Sequence, residues 1–139
     1  MKANVEALNV EDQARLEAMR RWVVDHYEDV QAYDSVAGKL KLVHAILENG
    51  WVAADETVKL QSLGVALGDA LVQDVEELNW VAVDDEYGRD PALQWGSTSL
   101  LVFPLTAISK RVENGEKVDV FDMFGGFLKM VSGAASEAE

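Results

Sequence analysis

The chain has 139 residues, nearly half of them apolar, which suits one domain with a single buried core. It contains no cysteine, so disulfides, thiolate nucleophiles and cysteine metal sites are excluded. Its 25 acidic and 12 basic side chains give a formal charge of −13, which argues against binding a phosphate backbone and favours encounter with a basic protein. No apolar run approaches the roughly 18 residues of a membrane span, and MKANVEALNVEDQ lacks the basic-then-apolar layout of a secretory signal. A soluble cytoplasmic protein with no membrane and no nucleic-acid partner is therefore expected.

The first predicted helix is NVEDQARLEAMRRWVVDHYEDVQ. Asn9 is its N-cap, acids fill its first turn, and Leu16, Met19, Val23, His26 and Val30 recur at helical spacing. DSVAGKLKLVHAILENGW gives a second helix, capped by Asp34 or Ser35 and stopped at Asn49-Gly50. The pair reads as a helical hairpin. A third helix begins near Asp55, with Leu60, Leu63, Leu67 and Leu71 as its apolar stripe. Gly64 and Gly68 lie four residues apart on one face of it, which predicts close approach by a neighbouring element, since glycine otherwise weakens a helix.

After Leu78 the period falls to two. Trp80, Ala82 and Asp84 alternate with Val81, Val83 and Asp85, EYGRDP supplies a turn, ALQWG a second strand and STSLLVF a third. The expectation is a three-stranded antiparallel meander whose third strand, with its Leu100 to Phe103 run, is central or covered on both faces. Pro104 opens a fourth helix that stops at Asn114-Gly115, and a fifth starts near Asp119 with Val120, Phe121, Phe124, Leu128 and Val131 buried. Gly125-Gly126 is expected to bend that helix or admit a neighbour. The fold class is α+β, with N-terminal helices, a small sheet and two C-terminal helices. Residues 1–133 form the domain and 134–139 a mobile acidic tail.

The stretch between Trp80 and Trp95 carries the densest charge. As a calcium loop it fails, because counting from Asp84 puts Gly88 fifth and Trp95 twelfth, where the wrap needs glycine sixth and glutamate twelfth. Paired carboxylates for acid and base work would need a shared face, which only Asp84 and Glu86 could supply. A solvated hairpin, its acids partly balanced by Arg89, is the simpler reading. His26 and His44 fall on the first two helices at unequal distances from the turn, which favours two separate histidines over a metal site. No nucleophile elbow or phosphate loop occurs. Trp22, Trp51, Phe121, Phe124 and Phe127 have core-like spacing. No catalytic residue, metal or cofactor is assigned.

Three stretches taken in order, LQSLGVALGDALVQD, NWVAVDDEYGRDPAL and FPLTAISKRVENGEKVDVFDMF, resemble the bacterial domain-of-unknown-function family numbered 3806, over about residues 59–124. The resemblance implies shared fold and brings no catalytic residues. It draws attention to Gln61, Asp84, Arg89, Lys110, Arg111 and Glu113, whose opposite charges would pin the hairpin to the fourth helix.

The leading expectation is a non-enzymatic interaction protein, of the kind that inhibits a basic toxin or enzyme by covering its active site. Asp84, Asp85, Glu86, Tyr87, Arg89 and Asp90 form the partner-binding hairpin. The rival is a small-molecule-binding or hydrolytic domain using an acidic cleft beside the sheet. A homodimer through the Gly64 and Gly68 face is a third reading.

Overall fold

The computed structural model describes residues 4–25, 30–86 and 88–138. In chain order the elements are β1 (Asn4–Glu6), α1 (Val10–Val24), a 3-10 turn (Val30–Asp34), α2 (Val36–Glu48), α3 (Thr57–Asp74), β2 (Leu78–Asp85), β3 (Gly88–Trp95), β4 (Leu101–Val102), α4 (Pro104–Glu113) and α5 (Val120–Ala138). The class is α+β, with five helices and a four-stranded antiparallel sheet in the order β1-β2-β3-β4. Among the described residues no helix is long and apolar enough to cross a membrane.

α3 is the hub. Every side chain from Ser62 to Gly68 is buried, so it is apolar all round rather than along one stripe, as a helix surrounded by other elements must be. α1, α2 and α4 each pack on α3. The expected hairpin of the first two helices is not formed, because their apolar stripes face α3 and leave little to bury between them. The core joins Leu40, Val43 and Ile46 of α2 to Leu60, Leu63, Leu67 and Leu71 of α3, with Leu78 and Leu93 of the sheet and Ile108, Val120 and Val131 beyond. A second cluster seats Leu16 and Met19 of α1 on Val65 and Leu105.

The glycine pair of α3 serves close packing. A Cβ at Gly64 would lie 2.5 Å from the Leu105 Cα and the Pro104 carbonyl oxygen, and one at Gly68 would meet the Trp80 ring. α4 and Trp80 can sit against the backbone only because those side chains are missing. This face is filled from within the chain, which removes it as a dimer seam. Gly125 and Gly126 have nothing near their missing Cβ positions, so no close neighbour explains them.

The sheet corrects two expectations. A fourth strand, β1, pairs with β2 through Asn4 opposite Asp84, Val5 opposite Val83 and Glu6 opposite Ala82. Its three exposed residues carry no alternation that sequence could show. β4 has two residues, lies at the far edge and pairs only with β3, since Pro104 begins α4 immediately and cannot donate to a ladder. The apolar run divides its duties there: Val102 is buried and Phe103 is 43% exposed. The two tryptophans do anchor the strands, with Trp80 opposite Leu93, Trp95 opposite Leu78 and both rings against the core.

The capping signals act as read. Asn9 and Asp12 exchange side-chain-to-backbone hydrogen bonds of 2.8 and 2.9 Å in a capping box. The Ser35 hydroxyl accepts from the Gly38 N–H, Pro104 opens α4, and Gly115 follows its end with φ +75°. α5 continues as helix through Ala138, so the backbone of the expected tail extends the last helix. Phe121 and Trp51 are exposed rather than core residues. His26 lies outside the described residues, and His44 is on the surface of α2 with its ring 5.6 Å from that of Phe121.

Candidate functional site

The hairpin that joins β2 to β3 ends beside β1 and the first turn of α1, and this end of the molecule gathers the predicted charges. Arg89 holds it in place. Its Nε and Nη2 donate to the Asp12 carboxylate, the latter at 2.8 Å, and its Nη1 donates to Glu6 Oε1 at 2.5 Å. Asp12 thus caps α1 and clamps the hairpin at once. The hydrogen bond from Arg89, supported by the Asn9 backbone N–H, holds its carboxyl below the usual aspartate range. Hydrogen bonds from Asp12 and then Glu6 push the Arg89 guanidinium still higher.

This arrangement replaces the expected network between hairpin and fourth helix. Arg111 donates to the Ala107 carbonyl of its own helix, and Glu113 accepts from the Thr57 hydroxyl at 3.1 Å. Arg89 therefore ties the hairpin to the N-terminal elements, with both its carboxylate partners supplied by β1 and α1. It does not neutralise the hairpin acids as the sequence suggested.

The predicted partner-binding residues consequently separate. Asp84 and Glu86 are exposed, and neither has an ion-pair partner among the described residues. Tyr87 lies outside the described residues. Asp90 is exposed and makes a 3.4 Å ion pair with Arg15 of α1. Asp85, the strand neighbour of Asp84, faces the other way, as strand alternation requires, and lines a cavity of about 390 Å³.

That cavity lies between the hairpin end, the β4–α4 junction and the start of α3. Asp85, Asp90 and Pro91 come from the hairpin, Phe103 and Lys110 from the β4–α4 segment, and Gln61 from α3. Each of the three stretches that resemble the family contributes to its wall. Asp84, Glu86 and Arg89, the hairpin residues that the small-molecule or hydrolytic reading would use, do not line this cavity.

One polar group that sequence reading passed over holds the interior together. Asp69 of α3 accepts from Arg20 Nε at 2.5 Å and Nη2 at 2.9 Å, from the Tyr33 hydroxyl at 2.5 Å and from Trp80 Nε1 at 3.0 Å. Burial, then the Asp69 charge, push the Tyr33 phenol far above its usual range, so it stays a donor. Asp69 raises the Arg20 guanidinium likewise. Lys39 lies 4.8 Å from the centre of the Tyr33 ring and donates to Gln73. Its ammonium is lowered by burial, against the pull of Asp69 and Asp34. With donors filling its oxygens and packed side chains around it, Asp69 is a structural clamp. Its signal in the sequence was a lone acid in the midst of GVALGDALV.

The protein family described as a domain of unknown function, DUF3806, matches residues 39–124, more than half of the chain. A crystal structure from Bacteroides thetaiotaomicron VPI-5482 has the same fold, with a TM-score of 0.78 at 12% sequence identity. The alignment covers 92% of this chain and 48% of that one, so this chain spans about half its length. No curated protein matches.

Proposed function

Since the chain belongs to the DUF3806 family, whose description names no activity, we propose from its own surface that it is a non-enzymatic interaction domain whose acidic end docks a basic protein. The observation that carries this reading is the commitment of Arg89. Its charge is committed to Glu6 and Asp12, so Asp84 and Glu86 are exposed with no ion-pair cation among the described residues. Glu11 adds a further acid in the adjoining turn of α1. A negative projection on a chain of charge −13 steers and orients a basic partner. Covering the cationic active site of a toxin or enzyme in the cytoplasm is the use that suits such a surface.

The test is capture by the tagged full chain from a lysate of its own host at physiological salt, repeated with an Asp84→Asn/Glu86→Gln variant. A basic protein retained in stoichiometric amount, released by raised salt and lost in the variant is the expected result. Retention of nothing, or of a protein indifferent to both salt and substitution, would overturn the reading.

A further inference from the structure

The last helix presents an apolar side that the rest of the chain leaves uncovered. We propose that this side of α5 is a self-complementary seam, on which a second copy of the chain packs its own α5 antiparallel to form a dimer. The seam does not involve the acidic hairpin.

α5 packs on α2 and α3, yet among its described side chains only Val120 and Val131 are buried. Its sequence does not suit that exposure. Met123, Phe127 and Met130 share one side at helical spacing, and Met130 is 45% exposed. With Asp122, Gly126 and the Arg111 side chain of α4 they line an open groove of about 300 Å³. Gly126 has nothing near its missing Cβ, so a neighbouring helix can approach closely at that point. Phe121, the other exposed apolar residue of α5, has its ring 5.6 Å from that of His44 and lies outside the groove.

Charge decides what fits this groove. The chain as a whole carries −13, but the charged residues lining the groove and the loop cavity beside it are Arg111, Lys117, Asp119 and Asp122. Two of each sign leave no local repulsion against a second copy. Asp122 and Lys129 are exposed, and neither has an ion-pair partner among the described residues. They share one flank of the helix two turns apart, about 10.5 Å along its axis, too far to pair with each other. A two-fold axis beside Gly126 reverses the second helix. Asp122 and Lys129 bracket Gly126 at nearly equal distances, so each Asp122 then stands opposite Lys129 of the other copy. Met123 and Met130 bracket it likewise, so they meet along the other flank. Every contact is made twice, as an isologous interface requires. A general apolar partner would desolvate both charges without pairing them, which favours a second copy of this helix as the occupant.

The test is sedimentation equilibrium of the full chain from about 10 μM to about 1 mM, since a seam of one helix per copy is small and its dimer correspondingly weak. A mass that rises from monomer towards dimer is expected. Met130→Glu and Gly126→Leu should each keep the chain monomeric over that range. Both positions are exposed, so circular dichroism should show these variants folded. Asp122→Lys and Lys129→Asp should each weaken the dimer by about tenfold, because one reversal acts on both symmetric pairs. Asp122→Lys/Lys129→Asp should restore it. Asp84→Asn/Glu86→Gln should dimerise as the unsubstituted chain does, which separates the seam from the docking surface. A monomer at every concentration, a dimer indifferent to Met130→Glu and Gly126→Leu, a dimer lost with the hairpin acids, or a double reversal no better than the single ones would each overturn the proposal. So would a captured protein of different sequence that Met130→Glu releases.

Discussion

Replacing Asp69 by alanine removes the acceptor for four hydrogen bonds from three elements outside α3: two from Arg20, one each from Tyr33 and Trp80. A buried ion pair broken on one side costs about 3–5 kcal/mol. Two features pull this case to the lower end. The Arg20 side chain keeps 27% exposure, against 11% for Asp69, and Arg20 already donates to Glu17 at 2.7 Å, so its charge has an alternative partner. The Trp80 N–H and Tyr33 hydroxyl lose their partner at about 1 kcal/mol each. A total of about 5 kcal/mol follows, a large part of the 5–15 kcal/mol that holds a domain folded. Urea denaturation should show a lower midpoint with an unchanged slope, and Tm should fall by about 10 °C or more. Asp69→Asn keeps one carbonyl acceptor but turns its amide donors on Arg20, so it should fall between alanine and the unsubstituted chain. A loss under about 0.5 kcal/mol for Asp69→Ala would refute the clamp.

Further consequences can be checked together. Gly64→Ala places a Cβ against the α4 backbone and Gly68→Ala one against the Trp80 ring, so each should cost about 1–3 kcal/mol; Gly125→Ala, with open space around it, should stabilise by a few tenths of a kcal/mol or more. Tyr33→Phe should cost about 1–2 kcal/mol. In the unsubstituted chain the raised Tyr33 value means that its contribution is complete below the unfolded pKa of about 10 and is lost as pH climbs above it, a loss that Tyr33→Phe should abolish in alkaline denaturation. Asp12 has the opposite sign: its folded value lies below the unfolded value of about 3.9, so its contribution is present above that pH and lost in acid. Arg89→Met should remove much of that acid sensitivity and speed amide exchange in β1.

The helices were legible because their signals are local. Asn9 with Asp12, Ser35, Pro104 and Gly115 each mark a terminus by chemistry that acts within a few residues. Gly64 and Gly68 announced a close neighbour without naming it, since spacing on one helix cannot show whether α4, Trp80 or another chain fills the space. β1 was invisible because three exposed residues owe their strand conformation to β2. The Leu100 to Phe103 run suggested a central strand because hydrophobicity reports burial but not what covers it. At the site, the hairpin and its two faces followed from alternation. The choice of Glu6 and Asp12 as partners of Arg89 did not, because they lie more than 75 positions away and are acids among 25. Asp69 escaped for the same reason: its donors come from separate stretches of chain.

The most direct measurement is amide NMR of the labelled domain titrated with the basic protein that it captures. Perturbations confined to β1, the first turn of α1 and Asp84 to Asp90, weakening as salt is raised, are the expected result. Perturbations centred on the exposed Phe121 and Met130 of α5, with the hairpin signals unmoved, would contradict it.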